Sequence, residues 1–247
     1  MRRHMFGIGV ISFVVLILAA LPAAAQTPAW DPKDFSGMWH ADAQRDITTA
    51  LLPGEEISFT PFGAEKYRNL DISKSPANTC MPSGVQRSIH GAFPFMISHS
   101  KDMVANIFEY QSTYRLIYTD GRPHPEDIYD YPLWFGHSIG KWEGNVLVVD
   151  TIGFEPRTWM DSEGLEHSDK LHLTEWFERT GPDSIKWTAQ VEDTVFFTKP
   201  FKYSEVLTRQ NTRLMPAYCM ENERDSPHML PTPGGLHDRK DRLKFPN

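Results

Sequence analysis

Cysteine is scarce in this chain: two in 247 residues, Cys80 and Cys219. That scarcity excludes a multi-disulfide scaffold, and the wide spacing excludes the C-x-x-C metal and redox motifs. Basic charge is also short, with 25 Lys and Arg against 32 Asp and Glu and a net charge of −7. Such a balance lacks the basic footprint that displaces counterions from a phosphate backbone, so no nucleic-acid partner is expected. No Gly-rich dinucleotide or flavin fingerprint occurs, which argues against a redox dehydrogenase, and neither H-x-H nor H-E-x-x-H spacing is found. Long apolar runs are missing too, with one exception at the start.

That exception is the run from Phe6 to Leu21. It follows a short basic stretch, Arg2, Arg3 and His4, and precedes Ala23-Ala24-Ala25. This order of basic, apolar and small residues predicts a secretory signal peptide over 1–25, cleaved after Ala25. Pro22 and the alanine triplet argue against reading the run as a permanent anchor. No stable membrane span is then expected in the mature chain, which would be periplasmic or secreted. The leader holds two of the basic residues and no acidic ones, so the mature balance is 23 against 32, or −9. An oxidising compartment favours a bond between Cys80 and Cys219. Closing a loop of about 140 residues is worth roughly 4–5 kcal/mol in the chain-entropy picture.

The remaining length fits one domain over 26–222, followed by a polar tail over 223–247 that is expected to be loosely packed. Asp34 to Trp39 reads as the start of a first strand. One short helix is predicted, with Thr60 as N-cap and Pro61 at its first position. From Phe93 onward apolar and polar residues alternate between turns, which is the signature of antiparallel strands. Strands are predicted near 93–99, 102–110 and 112–119. A hairpin follows over 134–142 and 145–152 with its bend at Glu143-Gly144-Asn145, and another over 171–179 and 185–193. A last pair is expected over 203–209 and 213–219. About nine strands and one short helix predict a mostly β fold, an antiparallel up-and-down barrel or strongly curled sheet. An interior of that size is wide enough for a small ligand.

Within that frame Glu175 stands out. In Leu171-His172-Leu173-Thr174-Glu175-Trp176-Phe177 strict alternation puts its carboxylate on the buried face with Leu171, Leu173 and Phe177. Left unpaired there, it would have the raised pKa of a general acid or base. Paired with a nearby Arg, or turned to water, it would be structural. Asp150 and Asp193 end strands, where loop capping is the ordinary use. Glu109 and Arg115 fall on neighbouring predicted strands as a plausible cross-strand pair. Ten histidines are present. Of these, His137 follows a glycine that permits close approach of another group, and His167 lies in a serine-containing connection. Three imidazoles with a carboxylate could bind Zn²⁺. Ser138 invites a serine-hydrolase reading, but the β-rich pattern lacks the strand-to-helix context of a nucleophile elbow. Gly136 to Gly144 is wrong for a phosphate loop because no helix follows.

Two resemblances extend this reading. Asp120-Gly121-Arg122-Pro123-His124-Pro125, Gly136-His137-Ser138-Ile139-Gly140-Lys141-Trp142-Glu143-Gly144, Leu147-Val148-Val149-Asp150-Thr151 and Cys219-Met220-Glu221-Asn222 resemble the motifs of a family of uncharacterised secreted bacterial proteins. His167-Ser168 and Leu171-His172 continue that pattern, which implies export but no particular activity. Gly37-Met38-Trp39 resembles the Gly-x-Trp signature of lipocalin-like barrels, which implies a Trp closing the barrel floor.

Three functions fit these observations. The first is an exported small-molecule-binding barrel performing acid/base chemistry, as a lyase, isomerase or hydrolase, on an apolar or aromatic compound. The second is a non-catalytic carrier, and the third a structural envelope protein. For the first, His137 is the expected proton-transfer group, with Glu175, Asp150 and His167 as catalytic partners. Arg115, Arg122, His124, Trp142 and His172 are the ligand-binding candidates. No cofactor or fixed metal ligand is expected, and whether the chain is an enzyme stays open at this point.

Overall fold

A computed structural model describes residues 30–41, 46–219 and 243–246. The predicted signal peptide and most of the polar tail lie outside the described residues. Nine strands close into a barrel: β1 Gly37–Ala41, β3 Phe95–His99, β4 Met103–Phe108, β5 Tyr114–Tyr118, β6 His137–Glu143, β7 Val146–Ile152, β8 His172–Gly181, β9 Ser184–Glu192 and β10 Phe201–Gln210. Two short strands, β2 Ile57–Ser58 and β11 Leu243–Lys244, pair in parallel outside it. Closure leaves the nine strands without a free edge. The mostly β barrel read from the alternation is therefore present.

The hairpins form where the turn residues demand them. Glu143 pairs with Val146, so Gly144-Asn145 is a two-residue loop, and Gly144 takes the left-handed φ of +62° that such loops need. Gly181 pairs with Ser184 around Pro182-Asp183. One junction departs from an up-and-down order. β5 and β6 are parallel, with Ile117 opposite Ser138, and residues 119–136 cross back over the barrel between them. A parallel pair requires such a crossover, and the Pro-rich stretch after Asp120 supplies it in place of a turn. The other eight neighbouring pairs of the barrel are antiparallel.

Helix α1, Pro61–Arg68, begins as its sequence predicts, with the Thr60 hydroxyl accepting from the Gly63 amide at 3.1 Å. A second helix, α2 over Val85–Ile89, lies between α1 and the first strand predicted after it, where no helix was expected. It is one turn long and held by burial of Val85 and Ile89, a tertiary effect with no sequence period to reveal it. The strand expected over 213–219 does not form. Pro216 cannot donate to a ladder, and the segment is instead pinned by the Cys80–Cys219 disulfide, whose cysteines are 139 residues apart. The described residues 243–246 of the tail lie against the domain. Leu243 is buried and Phe245 stacks on Phe59 at 5.3 Å, so an apolar pair anchors β11 to β2. No helix among the described residues is long and apolar enough to cross a membrane.

Trp39 is fully buried near one end of the barrel, its indole N–H donating to the Phe35 carbonyl at 2.7 Å. The Arg209 guanidinium covers the ring at 4.6 Å. Gly37 makes room for that arginine, because a Cβ there would meet Arg209 Nη1 at 2.3 Å.

Side chains fill the interior. Trp187, Tyr203, Phe95, Phe108 and Phe177 point inward, and so does Arg115. Arg115 donates to Glu175 Oε1 at 3.1 Å, to Ser138 Oγ at 2.9 Å and to Thr151 Oγ1 at 2.8 Å, and pairs with Glu175 Oε2 as well. The Trp187 indole donates to Glu175 Oε1 at 3.0 Å. A gap of about 160 Å³ remains beside Phe35, Val104, Asn106, Leu147 and Phe177, too finely divided for a ligand. The interior width expected for a small molecule is thus taken up by the protein's own aromatic and charged side chains.

Removing one member of a fully buried ion pair strands the other charge. Glu175→Gln is expected to lower unfolding stability by about 3–5 kcal/mol, whereas Arg115→Met with Glu175→Leu recovers most of it. Urea denaturation of the three proteins checks this, and a loss under about 1 kcal/mol in the single variant would contradict the pairing.

Candidate functional site

The outer faces of β6, β7 and β8 bring four sequence candidates together on one surface. His137 opens β6, directly after Gly136, whose φ is +63°. A Cβ at Gly136 would sit 2.7 Å from the Thr151 side chain and 2.9 Å from the Ile152 carbonyl, so this tight approach admits only glycine. Asp150 lies on β7 between inward-facing Val149 and Thr151, and its own side chain therefore points out. His172 starts β8. The crossover segment delivers His124 onto this surface, between Pro123 and Pro125, which limit its backbone freedom.

These four side chains form a continuous chain. His137 Nδ1 lies 2.8 Å from His124 Nδ1, and His124 Nε2 lies 3.3 Å from Asp150 Oδ2. The other carboxylate oxygen, Oδ1, accepts from His172 Nε2. Chemistry fixes the proton positions for a neutral His124. A carboxylate only accepts, so His124 Nε2 carries a proton toward Asp150. Its Nδ1 must then accept, so His137 Nδ1 carries the proton between the rings. The His137 Nε2 lone pair is left free. Tyr118 stacks on the His137 ring with centroids 5.4 Å apart, and the Arg122 guanidinium lies 4.0 Å from the centre of the Tyr118 ring, held by Asp120 at 2.6 Å.

The electrostatics separate the two ends of the chain. His137 is held below its ordinary pKa, first by burial, then by repulsion from His124 whenever that ring is protonated, and by the Arg122 charge. His172 is raised, chiefly by its hydrogen bond to Asp150. Asp150 is lowered by the same bond, against the opposing effect of burial. One end favours a neutral imidazole and the other an imidazolium.

The remaining candidates lie elsewhere. Glu175 and Arg115 are sealed inside the barrel as one ion pair, on the opposite face of the sheet from His137. Glu109 does not pair with Arg115; its carboxylate accepts from the Met215 amide at 2.9 Å. His167 is buried, with Nε2 2.6 Å from Thr158 Oγ1 and Nδ1 2.8 Å from the Ser168 carbonyl. Asp193 caps its neighbours as a strand-end carboxylate does, accepting from the Ser168 and Val195 amides. Trp142 is five positions along β6 from His137, about 17 Å at the usual strand rise. It packs on Phe35 instead. Ser138 does sit in G-x-S-x-G spacing, Gly136 to Gly140, but in mid-strand. Its hydroxyl is buried against Arg115 and Thr151, not exposed on an elbow.

Two features went unread in the sequence. Tyr118 ends β5 beside His137. On β10, Phe201, Tyr203, Glu205 and Leu207 alternate inward as the residues around Glu175 do, and Glu205 Oε1 meets His90 Nδ1 at 2.8 Å behind α2. Burial pushes the Tyr203 phenol well above its ordinary range. Among the described residues no group of three or more His, Cys, Asp or Glu is arranged to hold a metal ion. In the histidine chain the reason is visible, since His124 turns its two nitrogens to different partners. A comparison with family models found no match, and one with curated proteins found none either.

Histidine titration by NMR is expected to place His137 below the ordinary value of about 6.5 and His172 above it. The raised His172 contributes stability that is complete below the ordinary histidine pKa and is lost as pH rises through its folded value. The lowered Asp150 contributes stability that is complete above about pH 4 and is lost as pH falls through its folded value. The pair therefore stabilises most between about pH 4 and 6.5. Asp150→Asn should bring His172 down, and an unchanged His172 titration in that variant would break the assignment.

Proposed function

We propose that this chain is an exported, small-molecule-binding β-barrel protein that moves protons at His137, as a lyase, isomerase or hydrolase acting on an apolar or aromatic compound. The chain His137–His124–Asp150 carries the proposal. A neutral imidazole with a free Nε2 lone pair can take a proton from a bound compound or from water. The resulting imidazolium is stabilised through His124 by the Asp150 carboxylate, the arrangement that fixes tautomer and charge in many acid/base sites. Arg122 stands close enough to depress His137 and so to stabilise an anion formed beside it. Returning the proton to a different atom gives isomerisation, and expelling a leaving group gives elimination. Delivering the activated water to an ester or amide gives hydrolysis.

The order of residues in the leader and the Cys80–Cys219 bond support export. Membership in the family of secreted bacterial proteins whose motifs the chain resembles belongs to the same proposal. Those motifs supply His124, His137, Asp150 and His172, which the fold gathers into one surface.

The test is a panel of small aromatic esters and carbonyl compounds, with p-nitrophenyl acetate as reference, assayed on the mature protein. Rate is expected to rise with pH through the depressed His137 titration. Folded His137→Gln should lose about 10²–10⁴-fold, the usual contribution of a positioned general base. Equal turnover by that variant would refute the assignment, and binding without turnover across the panel would make the protein a carrier.

A further inference from the structure

A cleft of ligand size lies outside the barrel and away from the histidine chain. It has a volume of about 540 Å³ and opens between α1 and the connection over 153–170. Small-molecule sites fall within roughly 300–1,000 Å³. Trp159, only 5% exposed, lines it together with Leu70, Met81, Pro156 and the edge of Phe62.

Its walls are built to hold their shape. Asp161, fully buried, accepts from the Glu163 and Leu165 amides at 3.0 Å each and from the Ile47 amide at 3.3 Å. His167 ties Thr158 to Ser168, and Asp193 caps Ser168 through both oxygens. The two walls also interlock. Gly164 has φ +89°, and a Cβ there would lie 2.1 Å from Leu70 Cδ2, so the leucine that follows α1 seats directly over the glycine. Buried His167 and Asp161 of this connection, with Asp193 after β9, take no part in the surface chain and serve to preform the cleft.

The charges within it are unequally engaged. Lys74 is paired with Asp71 at 3.6 Å, and Arg157 with Glu155 at 2.8 Å while it covers Trp134 at 4.7 Å. Lys66 lies over Phe62 and, among the described residues, has no carboxylate within salt-bridge distance. Glu166, which also lines the cleft, is a half-buried carboxyl that burial pushes above its ordinary value, against the pull of Lys66 and a hydrogen bond with Trp159. Glu65 also borders the cleft but is exposed.

We propose that this cleft binds a small aromatic acid, with the ring against Trp159, Leu70 and Met81 and the carboxylate toward Lys66. An aromatic ring matches the indole and thioether surface, and an anion supplies the partner that Lys66 lacks. The site is independent of the proton-transfer reading, because none of its lining residues belongs to the histidine chain.

Calorimetric titration of the mature protein with 2-naphthoate tests it. One site per chain is expected, with binding weakened at least tenfold in Lys66→Gln and in Met81→Trp, which fills the cleft. The neutral 2-naphthamide should bind at least tenfold more weakly than the acid. His137→Gln should bind as the unaltered protein does, which separates this site from the surface chain. No binding by the folded protein, or equal binding in both Lys66→Gln and Met81→Trp, would overturn the proposal.

Discussion

The ion pair between Arg115 and Glu175 is the constraint on which the rest of the barrel depends. Two opposite charges with 1% and 0% side-chain exposure cannot stand alone in such an interior. Their partners are recruited from four strands: Arg115 on β5, Ser138 on β6, Thr151 on β7 and Glu175 on β8, with the Trp187 indole of β9 closing the set. The pair thus spans the parallel β5–β6 junction, which has few ladder bonds of its own, with only Ile117–Ser138 and Tyr118–Ile139 in register. Polar side chains bind together the part of the barrel wall where backbone pairing is thinnest. Leaving either charge of such a pair unpartnered is costly, whereas replacing both by well-packed apolar residues is often neutral.

Filling the interior moves any chemistry to the outside. Strand alternation that points Ser138, Thr151 and Glu175 inward necessarily turns His137, Asp150 and His172 outward, and adjacent strands bring these three onto one surface. The crossover that makes β5 and β6 parallel then lays His124 among them. One topological departure from an up-and-down barrel therefore both requires the internal ion pair and completes the external histidine chain. The connection after β7 is a second outside structure, pinned by Asp161, His167 and Asp193, which shape the cleft next to α1.

Much of the fold was legible because it follows from local periodicity. Alternation placed Glu175 inside, Gly144 marked a two-residue turn, and Thr60-Pro61 marked the start of α1. The parallel junction was not legible, since alternation within a strand carries no information about its neighbour's direction. Nor was α2, because a single turn has no period to detect. Alternation allowed Glu175 an arginine partner without saying which one. Arg115 was matched to Glu109 as a cross-strand neighbour, yet the partner it pairs with is 60 residues away. The histidine chain was only half visible. His124, His137, Asp150 and His172 could each be singled out by their settings, but their adjacency depends on the crossover. Glu205 carried a readable signal, the same inward alternation as Glu175, and its partner His90 lies across a long stretch of chain.

The central claim is that His137 presents a neutral, accessible Nε2 whose state is set through His124 by Asp150. Diethyl pyrocarbonate acylates unprotonated imidazole nitrogens, and peptide mapping reads each histidine separately. At neutral pH the account predicts that His137 is modified well ahead of buried His90 and His167, and that Asp150→Asn changes the His137 rate while leaving those two alone. Modification of His137 no faster than of His90, or a His137 rate indifferent to Asp150→Asn, would contradict it.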